Sequence, residues 1–568
     1  MKRCPECRKD YLDDSLLYCL DDGTPLVQGV VDEPATAILH STDAKGDAAT
    51  RAQIHTTEQT AVLPSGITEV PKIKGFDKRL ILAPLALAVI VLGGFFGFRY
   101  FKPSSGGPIN SIAVLPFENR SSDADTEYLS DGLAESLIFR LTQLPELKVS
   151  PASSVMRYKG KETDTGKIAS ELGVDAVMTG RMTKRGDNLN ITVELVDARN
   201  NKSLWGEQYE RTMSELLTTQ REIAATIAEK LQLKLAGGDA KGITKKYTDN
   251  NEAYQLYLKG RYHFAKRSKD DFLQAVDYYQ QALKFDPNFA MAYVGLADAY
   301  NLMPTNSARA PKEAFPQAKT AAERALSIDP SLAEAHSALA NTLALYEWNW
   351  TEAEREYKRA LELNPNVADI HYYYGLSLLY PTGRFDEGIR EIKRALELEP
   401  LSIPFGANLV QLYIGSGQKQ SALEQAQKTY NFDPNHRQAV GMLALAYIEN
   451  EMYAEAIALS EKTLQADPTR INLMIAVGIA YARTGQRQKA EELMARFQEI
   501  AKVEYIQHSR IAPIYIALGE RDKAFAELEQ AVQERESDIR ILKVDQLFAP
   551  LRDDPRYKDL LKRMNLPE

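Results

Sequence analysis

The chain is 568 residues long, enough for several domains, and its 44% hydrophobic and 26% charged residues are ordinary for soluble globular protein. A formal net charge of -9 gives no reason to expect nucleic acid as the main partner. All three cysteines fall within the first 19 residues, so nothing after Cys19 can form a disulfide or a thiol site.

Residues 1–27 hold Cys4-Pro5-Glu6-Cys7 and Cys19-Leu20-Asp21-Asp22-Gly23, a C-x2-C-x11-C-x2-D pattern. Two close ligand pairs on tight turns suit a tetrahedral Zn2+, with Cys4, Cys7, Cys19 and Asp22 as ligands. So short a segment cannot bury a core, and the metal would replace one. The other reading is a redox or unliganded CxxC, for which the surrounding βαβ pattern is missing. The segment resembles the small zinc-ribbon family, with Asp22 where most ribbons carry a fourth cysteine. Its acidic face (Asp10, Asp13, Asp14, Asp21, Asp22) points to protein contact or structural use.

Residues 28–78 are polar and poor in aromatics, and read as a flexible cytoplasmic linker. Thr36-Ala37-Ile38-Leu39 and Thr60-Ala61-Val62-Leu63 echo each other, either as phosphorylation sites or as a coincidence of linker composition. Leu80–Phe98 is a run of 19 residues without charge, about the length that crosses a hydrocarbon core, and residues 79–101 are read as a transmembrane helix. Lys72, Lys74, Lys78 and Arg79 precede it, and Arg99 and Lys102 follow. That asymmetry places the N-terminus in the cytoplasm and exports the body of the chain. Gly93 and Gly97 form a small-xxx-small pair through which two such helices could pack as a homodimer.

Residues 108–236 read as an α/β domain. Ile112–Phe117 is a continuous apolar run, expected to be a strand buried on both faces. Helical periodicity follows over Tyr128–Leu144, a short strand at Lys148–Ser150, and a helix over Lys167–Leu172 that ends at Gly173. Three alternating strands are expected at Ala176–Met182, Leu189–Val196 and Ser203–Tyr209, joined by hairpin turns, and then a helix over Leu216–Leu235. The blocks IAVLPFENRSSDADTEYLSDGLAESLIFRLTQLPELKV, ELGVDAVMTGRM and LNITVELVDARNNKSLWGEQYER resemble the TolB-like amino-terminal domain, related to envelope-assembly proteins. The resemblance implies a bacterial protein of the inner membrane, in which such domains connect a cytoplasmic regulatory module to a repeat array.

Residues 250–535 are periodic. Pro287, Pro330, Pro365, Pro400, Pro434 and Pro468 each follow Asp, Asn or Glu and close an apolar helical run, at spacings of 43, 35, 35, 34 and 34 residues. Small residues recur at i, i+4, i+7 before each proline, as in Ala318-Ala322-Ala325, where a paired helix must approach closely. Proline stops each second helix, because it lacks an N–H and disfavours α conformation in the residue before it. About eight such units run from Glu252 to Glu534, the last two without the closing proline. The pattern resembles the tetratricopeptide repeat family and implies a superhelix that binds protein or peptide. Residues 536–568 read as a cap, with Leu547, Phe548, Leu551, Tyr557, Leu560 and Leu561 over the last repeat.

His336 and His371, at the fourth position of their repeats, are explained by packing, and Trp348 and Trp350, in the turn of the third repeat, read as packing or rim aromatics. No P-loop, nucleophile elbow, zincin motif or kinase loop is present, so the chain is expected not to be an enzyme. Family register places Val294, Asp298, Asn301, Ser337, Asn341 and Ala344 on the concave side of the early repeats. From the fourth repeat onward Tyr372, Leu376, Leu379, Ile414, Leu445, Ile448, Ile475 and Ile479 follow. A groove that turns from polar to aliphatic suggests a partner site; alternatively, curvature buries these side chains within the array. The expected protein is therefore multidomain: zinc ribbon, one transmembrane helix, an α/β TolB-like domain and an all-α tetratricopeptide superhelix. Its expected role is a non-enzymatic, membrane-anchored scaffold for signalling or envelope assembly. The alternative is a zinc-ribbon transcriptional regulator that binds nucleic acid, with the array as sensor.

Overall fold

The computed structural model describes residues 109–566, apart from 122–125, 145, 162–163, 232, 234–241, 244, 307 and 503–504, together with three short strands near the N-terminus. Two units are distinguished, Met1–Phe101 and Lys102–Glu568. In the first, Lys2–Arg3 pairs antiparallel with both Asp10–Tyr11 and Val27–Gln28. Cys4, Cys7, Cys19, Asp22, Thr36, Thr60, Gly93, Gly97 and the whole expected span 79–101 lie outside the described residues. The expectation of a single-pass inner-membrane protein is corrected here: among the described residues no helix is long and apolar enough to cross a membrane. The longest of them, Pro311–Ile328, is interrupted by Lys312, Glu313, Lys319, Glu323 and Arg324.

The second unit opens with an α/β layer. Strands β1 (Ser111–Val114), β2 (Glu118–Asn119), β3 (Lys148–Val149), β4 (Ala176–Arg185), β5 (Asn188–Asp197) and β6 (Lys202–Thr212) form one sheet in the order β3-β1-β4-β5-β6, with β2 beside β4. β1 pairs parallel with β3 and β4, and is buried along its full length as its apolar run predicts. β4, β5 and β6 form an antiparallel meander. Gly186 turns the first hairpin at φ +61°, a left-handed value that glycine adopts without strain. β5 alternates, with Leu189, Ile191, Val193 and Leu195 turned to the core. Helices α1 (Glu127–Leu141), α2 (Thr165–Leu172) and α3 (Leu216–Lys230) supply the rest of that core.

The core does not end with the domain. Helix α4 (Asn251–Lys266), the first of the array, adds Ala253, Tyr254 and Leu258 to the same cluster. The Tyr254 hydroxyl bonds Gln220 Oε1 at 2.6 Å and also meets Ser136. Buried Arg140 donates to the carbonyls of Ile243 and Lys245 at 2.9 and 3.0 Å. Further along the array, Asn364 donates to the Thr142 carbonyl, and the Arg157 guanidinium lies 4.4 Å over the Phe432 ring.

Eight helical hairpins follow one another from Asn251 to Glu534 among the described residues. The recurring Asp/Asn-Pro tails have a second purpose beyond stopping the helix. Asp286, Asp329, Asn364, Asp433 and Asp467 each accept, through the side chain, the backbone N–H two residues on, at 2.9–3.2 Å. Each is an Asx turn folded over the proline, which aims the next helix back along the stack. The first helix of each hairpin packs on the first helix of the next, whereas second helices meet mainly their own partners and the following first helix. The first helices therefore form the inner, concave wall. In repeats three and four that wall is modified: Ala333–Thr342 and Ala368–Tyr373 continue as π-helical turns, Leu343–Glu347 and Tyr374–Leu379.

Close approach of helices is set by glycine. Fully buried Tyr279 passes between Gly260 and Gly295, where an added Cβ would lie 2.4 and 2.6 Å from ring atoms. Gly260→Ala gains about 1 kcal/mol of helix propensity but overpacks a locked ring, typically costing about 1–3 kcal/mol. Net destabilisation of up to about 2 kcal/mol is expected in denaturant unfolding of the chain. Tyr279→Leu in the same chain should relieve part of it, giving a non-additive double mutant.

Candidate partner-binding groove

The inner wall of the first repeats is half-open and charged. Tyr257, Arg261, Tyr293, Asp298, Glu334 and Tyr373 are half-buried there, and Asp369 is exposed. Arg261 Nε lies 3.2 Å from Glu135 Oε2 on α1, which ties the wall to the α/β domain. Burial pushes the Asp298 carboxyl up to about 7; Arg261 opposes this, and Asp369 and Glu334 add to it. Two other residues of the expected polar stretch are structural. Asn301 donates to the Ala338 carbonyl at 2.9 Å and accepts from Thr342 Oγ1 at 2.8 Å. Asn341 accepts from the Tyr357 hydroxyl at 2.7 Å. Both side chains are buried, Asn301 joining repeat two to repeat three and Asn341 joining the two helices of repeat three, and their hydrogen bonds offset the desolvation of the amides.

The aliphatic stretch is filled by the chain itself. Val544 of the C-terminal segment belongs to the same buried cluster as Tyr372, Leu376 and Ile414. Leu547 packs against the cluster of Ile448, Ile475 and Ile479, and Leu445 lies half-buried between the two. Gln546 Nε2 donates to the Gly415 carbonyl at 3.3 Å. Leu379 (0% exposed) is core within repeats three and four, and Ile479 (1%) is equally enclosed. Tyr372 stacks on Phe405 at 4.6 Å, and its hydroxyl accepts from Asn408 at 2.7 Å. Of the eight side chains named from sequence, seven are buried in this conformation and Leu445 is half-buried, and Leu379 belongs to the core of its repeats rather than to the cluster that Val544 joins.

The same segment reaches farther than a cap on the last repeat. Trp348 shares a buried cluster with Phe548, Leu551 and Tyr557. Trp350 Nε1 donates to the Met564 carbonyl at 3.1 Å, and Asn565 donates to the Trp348 carbonyl at 3.5 Å. Arg535 donates to the Tyr346 carbonyl at 2.6 Å, with its guanidinium 4.7 Å over the Trp348 ring. The end of the chain therefore crosses the concavity from repeat eight to repeat three. The two tryptophans in one turn, read from sequence as packing or rim aromatics, are the signal for this contact.

Tetratricopeptide character is shown by comparison as well as geometry: residues 342–403 and 408–471 match the family described as tetratricopeptide repeat. Residues 109–226 match the HilA/YgeH-like transcriptional regulator family, second domain. A Rhizobium meliloti (strain 1021) protein named "Putative adenylate cyclase 3" is 31% identical over 187 residues, covering 33% of this chain and 32% of its own length. The chain thus matches about a third of that curated relative. The expectation that the chain is not an enzyme is corrected by this match to a protein bearing an enzyme's name. Among solved structures, Pseudomonas aeruginosa PilF is 19% identical with a TM-score of 0.27, covering 46% of this chain and 97% of that one. YrrB, described as a TPR protein with an unusual peptide-binding site, is 20% identical with a TM-score of 0.25, covering 35% and 96%.

Two expectations follow from burial. Ile479→Glu places a carboxylate in an apolar cluster and should cost several kcal/mol, roughly 3 or more; Leu445→Glu, at a half-buried position, should cost less. Thermal melts of both variants test this order. Burial also raises the carboxyls of Asp545, to about 6, and Glu449, to about 7. Lys419 and Arg483 favour ionised Glu449 while Asp545 opposes it; the Leu547 N–H and Arg552 favour ionised Asp545. Folded values above the unfolded ones mean that folding takes up protons. Stability from these groups is then full at low pH and lost as pH rises from about 4 towards 7. Melting temperature should fall across that window, and Asp545→Asn should flatten the fall.

Proposed function

We propose that the chain is a protein-binding scaffold whose tetratricopeptide array holds a segment of its partner along the inner wall. The observation that carries this is the wall itself. Its open half presents Tyr257, Tyr293, Tyr373, Arg261 and Asp298 to solvent. Its aliphatic half already holds an apolar segment, the chain's own Val544–Leu547. In this reading Tyr372, Leu376, Ile414, Leu445, Ile448, Ile475 and Ile479 form the lining, with Leu379 supporting it from the core behind, and a partner's apolar side chains replace those of the C-terminal segment. Recognition by anchors in an apolar groove with a polar approach is a recurring mode of peptide binding. A photoreactive residue in place of Tyr293 or Tyr373 should give one discrete protein adduct in extract of the source cells. The same residue at exposed Lys428, on a second helix, should give none. Equal labelling from both faces would remove the groove from consideration.

A second reading is favoured by the match of residues 109–226: a regulator in which the array senses a partner and the N-terminal residues contact nucleic acid. Retention of the intact chain on DNA that falls steeply with salt separates it from the first reading. In either case Cys4, Cys7, Cys19 and Asp22 are proposed to hold one structural Zn2+. Metal analysis of reduced protein should find a site lost in Cys4→Ser and weakened less in Asp22→Ala, where water can take the fourth position.

A further inference from the structure

Three histidines occupy equivalent places in the array, and one of them is different. His336, His371 and His508 each hold Nδ1 2.6 Å from a glutamate of the second helix of the same hairpin, Glu356, Glu391 and Glu527. In repeats three and four the other nitrogen, Nε2, meets a prolyl carbonyl of the preceding Asp/Asn-Pro turn, Pro330 at 3.1 Å and Pro365 at 2.9 Å. The turn before His508 has no proline: the sequence there is Val503-Glu504-Tyr505-Ile506-Gln507. Nε2 of His508 therefore lacks that carbonyl and faces Glu534 Oε1 at 4.0 Å instead. That separation is too long for a hydrogen bond.

Glu536 completes the group. Ligand atoms of His508, Glu534 and Glu536 all lie within 4.8 Å of one another. Glu536 is fully buried, and its oxygens are held by neutral donors: the N–H groups of His508 and Ser509 at 2.7 and 2.9 Å, and Ser509 Oγ at 2.7 Å. The Tyr505 hydroxyl lies 3.2 Å from both Glu534 and Glu536, spanning the two carboxylates at long range. Among the described residues no Lys or Arg pairs with either carboxylate. Three carboxylates thus converge on a single imidazole, and the buried one, Glu536, is held by neutral donors without a Lys or Arg partner among the described residues.

We propose that His508 Nε2, Glu534 and Glu536 bind a divalent transition-metal ion of the zinc type. Glu527 supplies what such a histidine needs behind it: by accepting the Nδ1–H it leaves the lone pair on Nε2, the nitrogen that faces Glu534. Nitrogen and carboxylate donors suit zinc and its neighbours in the first row, whereas calcium and magnesium take all-oxygen shells. Bonds of about 2.0–2.2 Å require the donors to close by roughly an ångström from their present spread. Glu534, half-buried at the end of its helix, has the freedom to move. Glu534 and Glu536 flank the point where the last repeat passes into the C-terminal segment, so the ion would clasp that segment to repeat eight.

The test uses the full chain with Cys4, Cys7 and Cys19 changed to Ser, which removes the thiolate site. This protein should bind one equivalent of Zn2+ in equilibrium dialysis and melt at higher temperature with zinc than without. His508→Gln and Glu534→Gln should each abolish both effects. Glu527→Gln, which loses only the group behind the imidazole, should weaken binding about 10–100-fold. Affinity should rise with pH, because zinc competes with a proton for the imidazole nitrogen. If the cluster is only an ion-pair network, His508→Gln lowers the melting temperature while zinc changes nothing in either protein, and the proposal fails. Zinc bound equally by the parent and by His508→Gln also overturns it.

Discussion

A stack of helical hairpins cannot close its own ends. Each hairpin buries one face on the hairpin before it and offers another to the one after, so the first and last faces stay apolar and uncovered unless something else is built against them. The rest of this molecule follows from the two answers to that constraint. At the front, the α/β domain takes Tyr254 and Leu258 of the first helix into its own core, and Arg140 secures the approach by binding the Ile243 and Lys245 carbonyls. At the back, Phe548, Leu551, Tyr557 and Leu560 cover the last hairpin. The second cover is longer than the face it hides. Its surplus runs across the concavity and meets repeat three at Trp348 and Trp350.

That constraint explains why so much of the fold could be read in the residues. The Asp-Pro and Asn-Pro tails mark each unit with two separate effects, a stopped helix and an Asx turn, and both act within a few residues. Alternation in Leu189–Leu195 and the unbroken apolar run at Ile112–Val114 are equally local, and they distinguish a strand with one buried face from one with two. What could not be read is non-local. Asn301 and Asn341 stand at groove positions in the repeat register, yet the amide of Asn301 is spent on the next repeat and that of Asn341 on the second helix of its own hairpin. Val544 and Leu547 sit in a segment that reads as a cap, and nothing in its composition shows that it lies against residues more than a hundred positions earlier. A pattern of period 34 reports which face of a helix is inward; it does not report what fills the space those faces enclose.

The His508 cluster follows the same logic in reverse. Register places the histidine, as it places His336 and His371, and the Nδ1–glutamate contact recurs with it. The departure comes from a missing proline, which removes the carbonyl that receives Nε2 elsewhere. In a periodic protein a broken repeat is legible because the intact copies show what the position normally does.

The filled groove also sets a condition on any partner. The C-terminal segment is tethered, so it competes at an effective concentration that is on the order of millimolar for a flexible connection. A free segment must win against that, and its apparent affinity is reduced by the fraction of molecules in which the groove is open. The contacts that hold the segment are unequal. Val544 and Leu547 contribute burial, which any apolar side chain can replace, and the Gln546–Gly415 hydrogen bond is available to any amide donor. Trp350, Trp348 and Arg535 instead tie the segment's flanks to repeat three, outside the aliphatic stretch. A partner could therefore displace the middle of the segment while its flanks stay attached. The covering faces that the array requires would then remain in place while the groove is in use.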